Sequence, residues 1–418
     1  MDDQKNIKRI VMAAPFERQS LAHLLPQLTL ENLPEGYPGA PYLVSIVENY
    51  LKRGLEVVCI TTSLCVDGNY TVKEFRHENF TLVVVPARKR PFSFNGSKPG
   101  KIVDLFYEER KAIKCAIIAA KPDIVHAFWT YEFAWAALNT RLPCLVTAED
   151  NAYQILKHMR SIYRFMRLIM AEVVLAKTKY ASTLSPYMLP FISKRCSNVK
   201  VIPNPTKFIY NAWEVKELVQ KRVTSFKAPK IVMINNGWDT RKNVSRAIDA
   251  FVLFQQSNPA AELYLYGNGY GENGPAHQYA TTVGAKQVYF IGKVSQATVL
   301  YSLNDAHIFL HSSLEESQGV VLLEAMSRGV PCIGGNKSGA VPWVINNQDL
   351  LTDVSSAKAM SDKMQELLNE PVYTTASLRG YLWAKSTFEA DHIAQQFLDY
   401  YQIVYSQILV PAPSAVYE

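Results

Sequence analysis

The chain has 418 residues, about two to three times a typical domain, so two domains are the default expectation. Its 48% hydrophobic and 19% charged residues suit a globular enzyme with two cores and exclude a disordered or fibrous chain. A net charge of +7 favours anionic substrates or an anionic surface, while the lack of a zinc-finger or RNA-binding signature argues against nucleic acid as a partner.

In the first half, strands are expected at 10–14, 56–62, 81–86, 123–127, 144–148, 180–185 and 199–202, with helices near 41–53, 102–120, 130–139 and 153–172. Strands alternating with helices imply a parallel sheet covered on both faces. The connection from 15 to about 41 is unusually long and contains Gly36-Tyr-Pro-Gly39. Ligands of open α/β sheets bind at the carboxyl ends of the strands, so this loop, with Gly36 and Gly39, is a candidate wall for an acceptor. Asp123-Ile-Val-His126-Ala reads as a strand that delivers His126 at its end, where a lone histidine is on its own more often packed than functional.

Residues 151–171 contain no acidic side chain. On one helical wheel Ile155, Met159, Ile162, Met166, Ile169 and Val173 form a stripe opposite Lys157, Arg160, Arg164 and Arg167. Two readings stand. One is a core face backed by a solvated face; the other is a basic face that docks on anionic lipid or an anionic acceptor, to which Arg88-Lys-Arg90, Lys98 and Lys101 would add. The six cysteines, Cys59, Cys65, Cys115, Cys144, Cys196 and Cys332, lie mostly in apolar runs and never form Cys-x-x-Cys, as reduced thiols would. The first ten residues lack an apolar signal core and no run of 18 apolar residues occurs, so a cytoplasmic protein that does not span a membrane is expected.

After Val201-Ile-Pro-Asn-Pro205 the composition turns charged, which places a linker over 207–230 and divides the chain into 1–205, 206–385 and a helical segment 386–418. A second alternating series follows, with strands at 230–234, 261–266, 306–311 and 331–335 and helices at 244–254, 320–328 and 387–409. Arg241-Lys242-Asn243 stands between the first of these strands and its helix, where a lysine can neutralise a diphosphate as a point charge.

The most informative stretch is His311-Ser-Ser-Leu-Glu315-Glu316-Ser-Gln-Gly319-Val-Val-Leu-Leu-Glu324-Ala-Met-Ser-Arg328-Gly329, a strand, a turn and a helix. With the helix beginning at Ser317 or Gln318, the backbone of Ser317, Gln318, Gly319 and Val320 would present N–H groups to a phosphate, and Gly319 would allow close approach. Glu324 then lies about 7–8 Å further along the axis, roughly the reach from a diphosphate to the ribose of a nucleotide. Glu316 lies on the other side of the phosphates, where the transferred group of a nucleotide-diphosphate donor would sit. Because Val320-Val-Leu-Leu323 and Ala325-Met326 are apolar, a carboxylate between them needs a partner.

Ser313-Leu-Glu-Glu316-Ser-Gln-Gly319-Val-Val-Leu-Leu-Glu324-Ala-Met326 resembles the Glu-x7-Glu signature of the retaining GT-B glycosyltransferases of family 4. The resemblance extends to Asp123-Ile-Val-His126-Ala, Lys242-Asn243, Gln287-Val-Tyr-Phe-Ile-Gly292-Lys-Val and Lys337-Ser-Gly339-Ala-Val. It implies an α/β GT-B fold: two Rossmann-like domains with parallel sheets facing a cleft, the last helix crossing back to the first domain. It implies transfer of a hexosyl group, with retention, from a UDP- or GDP-sugar to a hydroxyl of a saccharide or lipid-linked acceptor; the basic first domain adds, as an expected setting, surface polysaccharide synthesis peripheral to an anionic membrane. By the same resemblance His126 contacts the donor sugar, Lys242 binds the diphosphate, with Arg241 the candidate substitute for the family's arginine, Glu316 holds sugar hydroxyls, Glu324 holds the ribose, and Gly292 precedes a loop near the base. His126, Glu316 and Lys242 are thus the expected catalytic residues. No Asp-x-Asp occurs, so no metal or other cofactor is expected. The pattern departs from the family at Gly237, where an arginine is usual, and at Trp343, where a glutamate is usual. A nucleotide-sugar epimerase on the same fold and a non-catalytic nucleotide-sugar-binding subunit are the other readings.

Overall fold

The structure, a computed structural model, describes residues 7–64 and 71–409. The chain forms two units, one holding the described residues up to Pro205 together with those from Ala390 onward, the other Thr206–Glu389. Cys65 lies outside the described residues; the other five cysteines are free thiols.

In unit 1 the strands are β1 (Arg9–Ala13), β2 (Glu56–Leu64), β3 (Lys73–His77), β4 (Phe80–Ala87), β5 (Ile124–Phe128), β6 (Cys144–Ala148), β7 (Tyr180–Thr183) and β8 (Asn198–Val201). They form one sheet in the order β3-β4-β2-β1-β5-β6-β7-β8. All neighbours are parallel except β3, which runs antiparallel to β4 at the edge. The sequence reading misses β3 because Lys-Glu-Phe-Arg-His is charged on both sides, as suits an edge strand. Alternation along β1 sends Ile10 and Met12 into one core and Val11 and Ala13 into another. Helix Ala390–Leu409 covers the first of these faces, with Ile393, Phe397 and Tyr401 packed among the residues of helix Leu43–Lys52.

In unit 2, β9 (Lys230–Ile234), β10 (Glu262–Tyr266), β11 (Val288–Gly292), β12 (Ile308–His311), β13 (Cys332–Gly335) and β14 (Leu351–Thr352) form a parallel sheet in the order β11-β10-β9-β12-β13-β14. Both units are therefore α/β with parallel-dominated sheets, the Rossmann-like architecture expected.

Four local expectations are corrected. The segment expected as a linker contains helix Ala212–Val223, started by a capping box between Asn211 and Glu214; its charged surface hides an apolar pair, Val215 and Val219, one turn apart. The terminal helix expected from 387 begins at Ala390, because Glu389, whose ψ of 136° is extended, separates it from the preceding helix Glu370–Phe388. The basic segment is also two helices, Ala152–His158 and Ile162–Lys177, the second restarted by Ser161, whose hydroxyl accepts from the Arg164 N–H. That break rotates the second helix away from a single wheel. Ile162, expected in the apolar stripe, is 72% exposed, whereas Arg167, expected on the basic face, is 5% exposed. Finally, Arg88 is not part of a surface patch: its guanidinium is buried between Asp104, at 2.7 Å, and Glu109, at 2.6 Å.

Candidate donor site in unit 2

The loops after β9, β11, β12 and β13 all leave the carboxyl ends of parallel strands, so the sheet gathers the candidate residues at one edge. After β9, a turn built on Asp239 shapes Arg241, Lys242 and Asn243. The Asp239 carbonyl and carboxylate both accept from the Lys242 N–H at 3.1 Å, and Asn243 takes a left-handed conformation before helix Val244–Gln255. This turn is fastened to the one after β12. Leu314 N–H donates to the Arg241 carbonyl at 2.7 Å, Ser312 Oγ to the Lys242 carbonyl at 2.7 Å, and Asn243 Nδ2 to the Ser312 carbonyl at 3.3 Å. The loop after β13 joins through the Ala340 N–H, which donates to the Glu316 carbonyl at 2.9 Å.

Two backbones held this way bring three cationic or protonatable groups onto one carboxylate. Lys242 Nζ lies 2.5 Å from Glu316 Oε1, His311 Nε2 3.6 Å from the same oxygen, and Arg241 Nη1 3.9 Å from Glu316 Oε2. Burial alone would raise the Glu316 pKa, but the Lys242 charge, with His311 and Arg241, outweighs it and holds the carboxyl well below its ordinary range. Glu316 is thus an anion at neutral pH, fixed in place.

Helix Val320–Met326 begins three residues later than Ser317, because Gly319, at φ 85°, breaks the helical run and stands as its N-cap. Ser317 and Gln318 therefore belong to the turn, and Val320 opens the helix. Glu324 sits one turn on, 7% exposed, with Gln296 Nε2 donating to its Oε1 at 2.8 Å. Burial raises its pKa, partly offset by Gln296 and by the charge of Arg328. Gln296 opens helix Gln296–Ser302, which follows β11; the last residue of β11, Gly292, is also in a left-handed conformation, and its carbonyl accepts from the Gly267 N–H at 2.7 Å. The structure thus assembles Arg241, Lys242, Gly292, Glu316, Gly319 and Glu324 along one sheet edge. It adds His311, which the sequence offered only as a strand-end histidine, and Gln296, which the sequence did not single out.

The two departures from the family pattern have local causes. Gly237 has φ 99°, a conformation an arginine would adopt only under strain; the guanidinium nearest Glu316 is that of Arg241, at 3.9 Å. Trp343 packs its ring against Phe388 at 5.3 Å between centroids and serves the core.

In unit 1, Gly36 and Gly39 hold the long loop against the end of β1. A Cβ on Gly36 would lie 2.2 Å from the Phe16 carbonyl oxygen, and one on Gly39 3.0 Å from both Pro15 and Trp129. Tyr37 between them meets Trp129 edge to face at 5.5 Å, and Tyr42 donates to Glu149 at 2.8 Å. Burial raises the Glu149 carboxyl to about 8.

His126 is not placed to touch a substrate. It is 0% exposed in the middle of unit 1, its Nδ1 bonded to Tyr401 and its Nε2 to Thr147, and burial holds it neutral with a lowered pKa. The chain Tyr50–Tyr401–His126–Thr147–Ser182 runs through the core and fastens the last helix to the first sheet. His126→Asn is accordingly expected to lower the melting temperature of the full chain by about 2–4 °C for each lost bond of about 1 kcal/mol, with nucleotide affinity unchanged. Calorimetry with and without nucleotide separates the two. Among the described residues no group of three or more His, Cys, Asp or Glu side chains is placed to hold a metal ion.

Residues 215–380 match the family model of glycosyl transferases group 1. Among curated relatives, the chain is 27% identical over 170 residues to a GDP-mannose-dependent monoacylated alpha-(1-6)-phosphatidylinositol monomannoside mannosyltransferase of Corynebacterium glutamicum, covering 39% of this chain and 44% of that one. It is 32% identical over 126 residues to an N-acetyl-alpha-D-glucosaminyl L-malate synthase of Bacillus anthracis, covering 29% and 31%. It is 24% identical over 227 residues to the alpha-1,3/1,6-mannosyltransferase ALG2 of Eremothecium gossypii, covering 49% and 43%. The chain thus spans less than half the length of each of these three relatives. Its fold is similar to that of sucrose-phosphate synthase from Thermosynechococcus elongatus, with TM-score 0.70, 16% identity and coverage of 96% and 100%. It is also similar to Anabaena HepE in complex with UDP and glucose, with TM-score 0.64, 17% identity and coverage of 94% and 99%.

Proposed function

We propose, for a chain whose second unit matches the family model of glycosyl transferases group 1, that it moves a hexosyl group from a UDP- or GDP-sugar to a hydroxyl of a saccharide or lipid-linked acceptor, with retention and without a metal ion. The observation that carries this reading is the Lys242–Glu316–Arg241 cluster beside buried Glu324 at one sheet edge. Lys242 and Arg241 would stabilise the charge that grows on the departing nucleoside diphosphate. Glu316, kept ionised by its neighbours, would accept hydrogen bonds from the sugar hydroxyls. Glu324 would accept from the ribose, with Gln296 holding its other oxygen. In the step itself, the bond from sugar C1 to the diphosphate oxygen breaks, the bond from C1 to the acceptor oxygen forms, and the acceptor proton leaves on the diphosphate.

The test is to incubate the full chain with UDP-, GDP- and ADP-sugars and a set of glycoside acceptors, with and without EDTA, and follow nucleotide release and product anomer by NMR. Release of one nucleotide, unaffected by EDTA and giving the donor's anomer, is the expected result. An inverted anomer removes the retaining assignment, EDTA sensitivity removes metal independence, and release of no nucleotide removes the transferase.

A cytoplasmic location peripheral to an anionic membrane is part of the same proposal. No helix among the described residues is long and apolar enough to cross a membrane. Ile162 and Phe165, 72% and 52% exposed, stand beside exposed Lys157 and Arg160. The neighbouring loop exposes Phe92 and Phe94, and its Ile102 and Phe106 pack with Met170 and Ala171 of the same helix. Apolar side chains ringed by cations suit the interface of anionic lipid. Ile162→Asp with Phe165→Asp is expected to abolish flotation with phosphatidylglycerol vesicles at low salt and to leave donor binding intact; unchanged flotation contradicts the membrane assignment.

A further inference from the structure

The sheet of unit 1 is covered unevenly. On one face, Leu82 and Val84 of β4 lie in a core with Leu25 and Leu33 of the long loop and Val44 of helix Leu43–Lys52. On the other face, β2 and β4 are joined through the hairpin strand β3, and among the described residues no helix stands between them. The cover there is helix Tyr107–Ala120, whose Ile113 and Ile117 share a second core with Val58 and Val83. Between that helix and β3 a cavity of about 430 Å³ stays open, at a place where a helix of an α/β sheet would ordinarily pack. Arg9, Glu56 and Asn79 line it, so it lies toward the amino ends of the strands, away from the edge that gathers ligands.

The surface around this slot is complementary to itself. At about 3.6 residues per turn, Ala112, Ala116 and Ala119 face the slot, and Lys111, Cys115 and Ile118 point to solvent. The alanines form a wall on which a second helix can pack near the lower end of the usual interaxial distance of about 8–10 Å. Ile118 is 50% exposed, an apolar side chain without apolar cover, while Val58 and Val83 line the slot with apolar surface. The charges set the direction. Arg9 Nη1 donates to the Ala120 carbonyl at 3.2 Å and Arg9 Nε to Glu56 at 2.8 Å, which places Glu56 beside the carboxyl end of the helix. Glu78 lines the same end of the slot, since the carbonyl of the next residue, Asn79, accepts from the Val57 N–H at 2.9 Å. Lys111 stands in the amino-terminal half of the helix, so only an antiparallel neighbour brings its Lys111 to these carboxylates.

We infer that the slot receives helix Tyr107–Ala120 of a second copy of this chain, the two helices lying side by side and antiparallel between the two sheets. The contact is isologous: each copy supplies both the slot and the helix that fills it. Lys111 of each copy then meets Glu78 of the other, Ile118 covers the valines of the opposite slot, and the two Cys115 side chains come together near the two-fold axis.

The test uses the full chain. Its mass is followed by sedimentation equilibrium over a range of concentrations, and a short bis-maleimide is applied to Cys115, the one exposed thiol among the described residues. A concentration-dependent dimer is expected, with a Cys115–Cys115 link identified by mass spectrometry of the cross-linked peptides. Ile118→Glu and Lys111→Glu, both at exposed positions, are each expected to weaken the dimer about tenfold or more. Adding Glu78→Lys to Lys111→Glu reverses both partners of the charge pair and should restore the affinity, which a misfolded variant would not do. A mass of one chain at every concentration overturns the inference, as does a dimer that gives no Cys115–Cys115 link or one whose affinity none of the substitutions changes.

Discussion

Lys242→Ala is expected to lower turnover about 10²–10³-fold, the loss typical of removing one preorganised group that stabilises transition-state charge. It is also expected to destabilise unit 2 by about 2 kcal/mol, because Glu316 is left buried without its nearest cation. That figure lies below the roughly 3–5 kcal/mol seen when an isolated buried pair is broken, since Arg241 and His311 still face the carboxylate at 3.9 and 3.6 Å. The double variant Lys242→Ala with Glu316→Gln separates the two effects: removing the unpaired charge should restore most of the stability and none of the turnover. The pH dependence gives a second check. The folded pKa of Glu316 lies below its ordinary value of 4.5, so its contribution is complete above pH 4.5 and is lost as pH falls through the folded value. The unaltered protein should therefore lose stability below pH 4.5, and Lys242→Ala should show a flatter acid limb. Equal acid limbs in urea titrations would mean that the pair is not what holds Glu316 ionised.

Glu324→Gln is expected to do the opposite to stability while weakening nucleotide binding about 10–100-fold, the loss of a hydrogen bond to a charged acceptor. Burial raises the Glu324 pKa, so the native state carries a cost for keeping it ionised. The sign follows from linkage. A carboxyl with a raised folded pKa lowers stability above that pKa, and the cost disappears as pH falls to the unfolded value near 4.5. The glutamine variant should therefore melt higher than the original protein at pH 7, and the gain should vanish by about pH 4. A lower melting point at pH 7 with unchanged nucleotide affinity would assign Glu324 to the packing of its helix.

How far the sequence could be read depended on the distance between partners. The parallel α/β architecture was legible because each strand and each intervening helix carries its own hydrophobic period. The turn from His311 to Glu324 was legible because strand, glycine and acids are neighbours in the chain. The start of its helix was placed early, at Ser317 or Gln318, because composition does not reveal that Gly319 is left-handed. His126 was misread because its partner Tyr401 lies 275 residues away, and no local pattern distinguishes a histidine that holds a helix from one that meets a sugar. Arg88 and Arg167 were read as surface cations for the same reason. Their carboxylates, Asp104 and Glu109 for the first and Glu132 for the second, are found only once the helices are packed. Gln296 gave no signal at all, since a glutamine at the start of a helix acquires meaning only beside a buried Glu324. Gly237 shows the converse case: the residue that breaks the family pattern is explained by a backbone angle of 99°.

The most direct measurement of the central claim is a calorimetric titration of UDP, GDP and their sugar conjugates into the full chain, its Lys242→Ala variant and its Glu324→Gln variant. One nucleotide family should bind with a single site, and its affinity should drop in both variants, with Lys242→Ala affecting diphosphates and Glu324→Gln affecting every ribonucleotide. Absence of binding by any nucleotide, or affinities that both variants leave intact, would contradict the assignment of this sheet edge as the donor site.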